Sequence, residues 1–425
     1  MSPRKVLTAI SLTALAAATL VPLLVERPPI DFLPLNDAVW QWTGKLFVVG
    51  VLLLIVAWRW YIDRALHEAD GPLTLMFLAA AGAMTACHWL MVDHQPYPAE
   101  WQRDLYLGIL NHTYEAPHRY RPLPYGFVRL LEWVTHDWVF SCLAYRWFFN
   151  YWLLWAWHRF ACLFHAPRRA ALTLLPFALL YPVSIALYLG QLTDPLSHTL
   201  FVLGFIYIVE DRPVALGVAL VLGIIAKETA MLLVPCYFVC CGWRGWRGWL
   251  TTAALGAAAT VAFLGARLPL GWQPGAEQMN GAGLMIGTNL GIGAPIARMP
   301  VSLAVNYLHP LLFVVPFLPP IAWHWRTIDV RLRWMAMTLT PLLLASNLSF
   351  GWLYESRNYV PLLPLFATMA LPVRRSSARA QLAPQMRSGA DDQAERQSRG
   401  VRAVGDRSQH TRQAGEEPAD HDYHG

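Results

Sequence analysis

The chain is 425 residues long, 56% hydrophobic and only 14% charged, where an ordinary soluble domain carries about 25% charged residues. Its formal charge of +6 comes from arginines in small groups between apolar runs, with no continuous basic stripe, which argues against nucleic acid as a partner. The six cysteines all lie within or beside apolar stretches and lack the spacing of zinc ligands, so they read as small buried residues.

A segment that crosses a bilayer needs about 20 mostly apolar residues, because each residue rises about 1.5 Å through a core roughly 30 Å thick. In chain order the candidates are 6–25, 44–60, 72–92, 139–164, 170–189, 196–210, 213–226, 229–242, 249–268, 303–323, 334–350 and 358–372. The expected fold class is therefore all-α, a polytopic bundle of about ten to twelve spanning helices. Twenty Trp, sixteen Tyr and eighteen Phe suit a protein with two lipid–water interfaces, where amphipathic rings are favoured.

Residues 1–92 form the N-terminal transmembrane part. Its first segment has the charged start Arg4-Lys5 and Ala-rich residues near Ala16 to Ala18, so it reads either as a span or as a signal peptide. Setting Arg4 and Lys5 inside and alternating puts basic residues in every inner loop: Arg59 and Arg64; Arg159, Arg168 and Arg169; Arg212; Arg244 and Arg247; Arg326, Arg331 and Arg333; Arg374 and Arg375. The long outer stretches are then 26–43, 93–138 and 269–302. In the loop at 93–138, Trp101, Leu105, Tyr106, Ile109 and Leu110 recur at helical spacing beside Arg103 and Asp104. This pattern predicts an amphipathic helix lying along the membrane surface. Residues 139–372 continue as the transmembrane bundle. From Val373 to Gly425 the apolar periodicity stops, which predicts a disordered cytoplasmic tail.

The same alternation brings Asp93, Asp104, the run His118-Arg119-Tyr120-Arg121, Asp194, Lys227, Glu228, Glu355 and Arg357 to the outer face. Ionisable groups at membrane depth cost about 2.5–3.5 kcal/mol each, so those that persist call for a reason. Bland alternatives stand beside the functional one. Asp194 or Thr193 suits a helix N-cap before Pro195. Lys227, one of only three lysines, could pair locally with Glu228, and Glu355 with Arg357. Asp93 and Asp104 could be simple interfacial carboxylates. The functional alternative is a carboxylate general base beside a lipid-facing groove, with Arg119 and Arg121 neutralising a lipid phosphate. His88, His94, His112, His118, His136 and His198 also face outward, but no pair has the one-turn spacing of a helical metal site. No cofactor is predicted, and a divalent metal is left open.

Four stretches, Arg119-Tyr120-Arg121-Pro122-Leu123-Pro124, Thr193-Asp194-Pro195-Leu196, Ala226-Lys227-Glu228-Thr229 and Glu355-Ser356-Arg357-Asn358-Tyr359, resemble the GT-C superfamily of polytopic glycosyltransferases, in its bacterial members, over roughly residues 85–372. The family places its outer loop after the first helix, whereas here about two further apolar segments precede it. The resemblance implies an active site at the non-cytoplasmic face of the bacterial inner membrane. It also implies a lipid-linked, polyprenyl-phosphate sugar donor and a glycan, lipid or protein acceptor. By that implication an essential aspartate lies in the first outer loop: Asp104 first, Asp93 second. Arg119, Arg121, Lys227 and Arg357 would hold the donor phosphate, with Asp194, Glu228 and Glu355 orienting them. The rival expectation is a transporter or a non-catalytic assembly protein for envelope polysaccharide. A transporter would place ionisable groups near the midplane, often within internal repeats. No repeat of the two halves is evident, so an enzyme is the favoured reading.

Overall fold

The computed structural model describes residues 45, 49–50, 52, 71–93, 99–114, 118–177, 181, 191–243, 245–272, 286–290, 311, 314–351, 353 and 355–372. Candidate span 6–25, most of 44–60, the second half of 170–189, the start of 303–323, the outer stretch 26–43, most of 269–302 and the tail from Val373 lie outside the described residues. Among the described residues every regular element is a helix and there is no strand, so the fold class is all-α.

The longer helices are α1 (Gly71–Asp93), α2 (Ala99–Leu110), α3 (Pro122–Thr135), α4 (Trp138–Cys162), α5 (Pro167–Leu172), α6 (Thr193–Val209), α7 (Pro213–Ala226), α8 (Leu233–Tyr237), α9 (Trp246–Arg267), α10 (Ile286–Asn289), α11 (Leu318–His324), α12 (Val330–Phe350) and α13 (Leu362–Ala370). Short 3-10 turns at His118–Tyr120, Glu228–Leu232 and Ser356–Tyr359 each carry charged side chains between helices.

Helices α4 and α6 are the core. Both are apolar on nearly every face, with Trp157, Phe160, Phe201 and Phe205 fully buried, as expected of helices surrounded by protein. Helix α1 packs on α4, and α6 packs on α4 and α7. The Trp147 Nε1–H donates across the α1–α4 contact to the Leu78 carbonyl at 3.3 Å. Helix α4 starts sharply because the Asp137 side chain accepts from the Phe140 N–H at 2.9 Å, a cap worth about 1 kcal/mol. Lys45 pairs with the same carboxylate at 2.5 Å.

The turn after α7 is set by a close approach. The Lys227 N–H donates to the Gly223 carbonyl at 2.7 Å, and a Cβ on Gly223 would stand only 2.7 Å from the Cβ of Ala230. Glycine is thus what lets the 228–232 turn fold back on α7, fixing Lys227 and Glu228 at its start.

Several helices present apolar side chains outward in stripes. On α7, Val214 (83% exposed), Val218 and Leu222 succeed one another at four-residue spacing. On α9, Trp246 (71%), Trp249, Leu250 and Val261 (70%) are exposed, and on α12 Trp334, Met337 and Leu344. The stretch Trp246–Leu270 is long and apolar enough to cross a membrane by itself, with only 11% of its most apolar window buried; Leu73–Trp89, Thr193–Val209, Pro213–Ala226 and Glu228–Gly242 are apolar but shorter.

The amphipathic helix expected in 93–138 is present as α2, but its apolar face is covered by protein. Leu105, Tyr106 and Ile109 are buried. The Tyr106 hydroxyl donates to Glu132 of α3 at 2.6 Å, and its ring packs near Tyr125 and Trp138. The outward apolar strip in this region belongs instead to α3: Phe127, Leu130 and Trp133 (74% exposed), about one helical turn apart. Periodicity marks an apolar face but does not say whether lipid or protein covers it.

Candidate functional site

The charged residues of the three short turns meet around the first turn of α6. Lys227 Nζ lies 3.3 Å from Asp194 Oδ1 and donates to Asn358 Oδ1 at 2.8 Å. Arg357 Nη1 donates to Asp194 Oδ2 at 3.2 Å, and its Nη2 to Glu355 Oε2 at 3.1 Å. Asn358 Nδ2 donates to the same Glu355 oxygen at 2.9 Å. These five side chains form a closed ring, and all five are buried. The N-capping alternative for this stretch is not what occurs: Leu192 holds the N-cap position of α6 and no side chain caps it. Asp194 instead spends both oxygens on cations 33 and 163 residues away in sequence. Lys227 turns to Asp194 rather than to its chain neighbour Glu228, whereas Glu355 and Arg357 do pair.

A second group lies beside the ring. The Arg121 guanidinium grips Glu228 through two parallel bonds, Nε to Oε2 at 2.9 Å and Nη2 to Oε1, and reaches Gln191 at 3.5 Å. Such two-pronged pairs are the stronger kind of ion pair. Arg267, at the end of α9, joins the same carboxylate at 3.5 Å and lies over Phe263 and Tyr120, 3.8 and 5.1 Å from the ring centroids. Arg119 donates to the Tyr120 hydroxyl at 2.6 Å and stacks on that ring. Burial alone would push the Glu228 carboxyl up, but the charge and hydrogen bonds of Arg121, aided by Arg267, hold it at about 2. His118, by burial first and then by the charges of Arg121 and Arg357, is lowered to about 3.

Arg146 extends the cluster into the bundle. It lies eight residues into α4, about 12 Å along the helix axis, and is buried at 3% exposure. It lines a small cavity of about 20 Å³, room for about one water molecule, with Asn150, Tyr181, Asp194, His198 and Arg357.

Of the residues singled out from the sequence, the structure therefore gathers Arg121, Lys227, Arg357, Asp194, Glu228 and Glu355, with Arg119 linked through Tyr120 and Arg267. Asp104 is exposed on α2 and takes no ion pair among the described residues. Asp93 ends α1, and its side chain lies outside the described residues. Sequence reasoning missed Arg146, Arg267, Gln191 and the ring role of Asn358. An arginine well inside the apolar run 139–164, away from its ends, was the available signal for Arg146. Arg267 and Gln191 read as ordinary segment ends, and only folding shows their partners.

Among the described residues, Arg121, Lys227, Arg267 and Arg357 pair with Asp194, Glu228 and Glu355, and Arg119 and Arg146 lie beside them. Among the described residues no group of three His, Cys, Asp or Glu side chains is placed to hold a metal ion. No protein-family model matches the chain, and neither a curated protein nor a solved structure is significantly similar to it.

Proposed function

We propose that the chain is a polytopic membrane glycosyltransferase that moves a sugar from a polyprenyl-phosphate donor to a glycan, lipid or protein acceptor at the non-cytoplasmic face of the bacterial inner membrane. The observation that carries this reading is the cation-rich cluster at the first turn of α6, within a helical protein whose outer faces are apolar. A cluster of arginines and a lysine suits a phosphate, and outward stripes such as Val214, Val218 and Leu222 suit lipid, because soluble monomers seldom leave such stripes bare. The membrane-spanning bundle belongs to the same proposal.

In this reaction the acceptor hydroxyl attacks the anomeric carbon of the donor sugar. A new carbon–oxygen bond to the acceptor forms as the bond to the phosphate oxygen breaks. The acceptor proton passes to a carboxylate, and the polyprenyl phosphate leaves with the bonding pair. Arg121, Arg267 and Arg119 supply positive charge where negative charge develops. Glu228, held at about 2 and gripped by Arg121, is a poor base, and Asp194 has both oxygens engaged. Asp104, exposed on α2, is the first candidate for the base and Asp93 the second. Lys227 and Arg357, locked in the ring with Asp194 and Glu355, support the phosphate site.

Transfer of labelled sugar from a panel of polyprenyl-phosphate sugars by purified protein tests the reading, with Asp104→Asn and Asp93→Asn run in parallel. Transfer lost in one variant that keeps the wild-type melting temperature assigns the class and the base. No transfer across the panel counts against the enzyme. One observation favours a transporter as the second reading: Arg146 and Asn150 carry the polar cluster into the interior of α4, and a buried charge within a span is a feature of substrate pathways. Uptake of lipid-linked or free sugar into proteoliposomes, without transfer, is the outcome that reading requires.

A further inference from the structure

The end of α6 away from the Asp194 ring carries a different combination of charge and apolar surface. Arg331 Nη1, in the first turn of α12, donates to the Val209 carbonyl at 2.9 Å. The start of α12 therefore meets the last residue of α6, about 22 Å along that helix from Asp194. Between Leu318 and Phe350 the single carboxylate is Asp329, and Arg331 occupies it, with Nε at 3.1 Å and Nη2 at 3.2 Å. The side chains of Arg326, which is exposed, and Arg333 make no hydrogen bond or ion pair among the described residues. The Arg333 guanidinium lies over the Trp325 ring, 5.6 Å from its centroid, with Nε buried and unpartnered. The ring attracts the cation but offers no oxygen to accept its N–H groups. Beside this pair an apolar track begins. Trp334, Met337, Pro341 and Leu344 are all exposed and follow one another at helical spacing along one face of α12. From Trp334 to Leu344 the track runs about 15 Å, half of a hydrocarbon core about 30 Å thick, which is the reach of one acyl chain in one leaflet.

We infer that the start of α12 is a binding site for an anionic glycerophospholipid, its phosphate held by Arg326 and Arg333 and one acyl chain laid along Trp334, Met337, Pro341 and Leu344. A zwitterionic lipid has the same phosphate but brings a cation of its own toward the two arginines. A soluble phosphate satisfies the arginines and leaves the track bare. The expected inner-side position of Arg326 and Arg333 fits the leaflet in which anionic lipid attracts basic residues. The assignment rests on the membrane reading of the chain and is independent of the transferase reading and its donor.

The test titrates the full chain, purified in a neutral detergent, with dioleoyl phosphatidylglycerol and dioleoyl phosphatidylcholine, and counts bound lipid by native mass spectrometry. The anionic lipid is expected to bind roughly thirtyfold more tightly, from two arginines at about 1 kcal/mol each. Arg326→Gln and Arg333→Gln are each expected to cut that preference roughly fivefold, and the double variant to abolish it. Met337→Asn, on the track, weakens both lipids. Arg168→Gln, an exposed arginine on α5 expected on the same side, leaves the preference unchanged, and free glycerol phosphate does not displace the lipid. Equal binding of the two lipids overturns the site, as does a preference that survives the double variant. An equal loss in Arg168→Gln reduces the effect to general surface charge, and displacement by glycerol phosphate makes it a soluble-anion site; either outcome also overturns it. Arg326 is exposed and unpaired, so Arg326→Gln remains the arbiter if the melting curve of Arg333→Gln shows misfolding. A chain that stays monodisperse without detergent and binds neither lipid overturns the membrane reading together with this site.

Discussion

The ring of Asp194, Lys227, Arg357, Glu355 and Asn358 differs from the neighbouring group of Arg121, Arg267, Arg119 and Glu228 in how its charges are balanced. In the ring, two cations face two carboxylates, every member touches two others, and all are buried. In the second group three guanidiniums share one carboxylate, directly or through the Tyr120 ring, and a quarter of the Glu228 side chain is exposed. A closed, neutral, buried ring holds segments from α6, the α7 turn and the 356–359 turn together. The second group is built on a carboxylate that still reaches the surface, although Arg121 and Arg267 themselves are buried. Residue type alone would have given both the same role.

The comparison breaks most sharply at Asp194. Replacing it by Ala leaves Lys227 and Arg357 buried without their shared anion. Removing one partner of a buried pair costs about 3–5 kcal/mol, so Asp194→Ala is expected to lower the melting temperature more than any other single change at the site. An Asp194→Ala protein as stable as wild type would show that the ring does not hold the segments.

Arg121→Gln removes the grip on Glu228 at a partly exposed place, where Arg267 remains at 3.5 Å. The expected stability loss is smaller, about 1–3 kcal/mol, while farnesyl phosphate binding falls at least about tenfold, or about 1.4 kcal/mol. Equal losses of stability in Asp194→Ala and Arg121→Gln would erase the distinction between the two groups.

Acid sharpens it from another side. His118 is lowered from 6.5 to about 3, so the unfolded chain binds the proton first and stability falls as pH drops from about 6.5 toward 3. Glu228 is lowered from 4.5 to about 2; its contribution, full above about 4.5, is lost as pH falls through about 2. Melting curves at pH 7.5, 5.5 and 4 therefore decline in that order, and His118→Asn flattens the decline between about 6.5 and 4.5. The smallest effect belongs to Asp104→Asn, an exposed change on α2 expected to stay within about 0.5 kcal/mol of wild type even where sugar transfer is lost.

The gathering of Arg121, Asp194, Lys227, Glu228, Glu355 and Arg357 was legible before folding, because short charged turns between apolar runs on alternating segments have few places to go. Their pairing was not. Lys227 stands next to Glu228 in the chain, yet its partners are Asp194 and Asn358. The turn fixed by the Gly223–Ala230 approach points the two side chains apart, Lys227 to the ring and Glu228 to Arg121.

Composition and periodicity determined by themselves that the chain is all-α, and they located the helix ends that carry charge, because helix length and apolar runs are local properties. Tertiary structure alone decided that α2 spends its apolar face on α3 while α3 turns Phe127, Leu130 and Trp133 outward. It alone brought Arg146 and Arg267 to the site. Which neighbour covers a stripe, and which distant carboxylate answers a buried cation, depends on how helices far apart in sequence pack, and no window of adjacent residues contains that information.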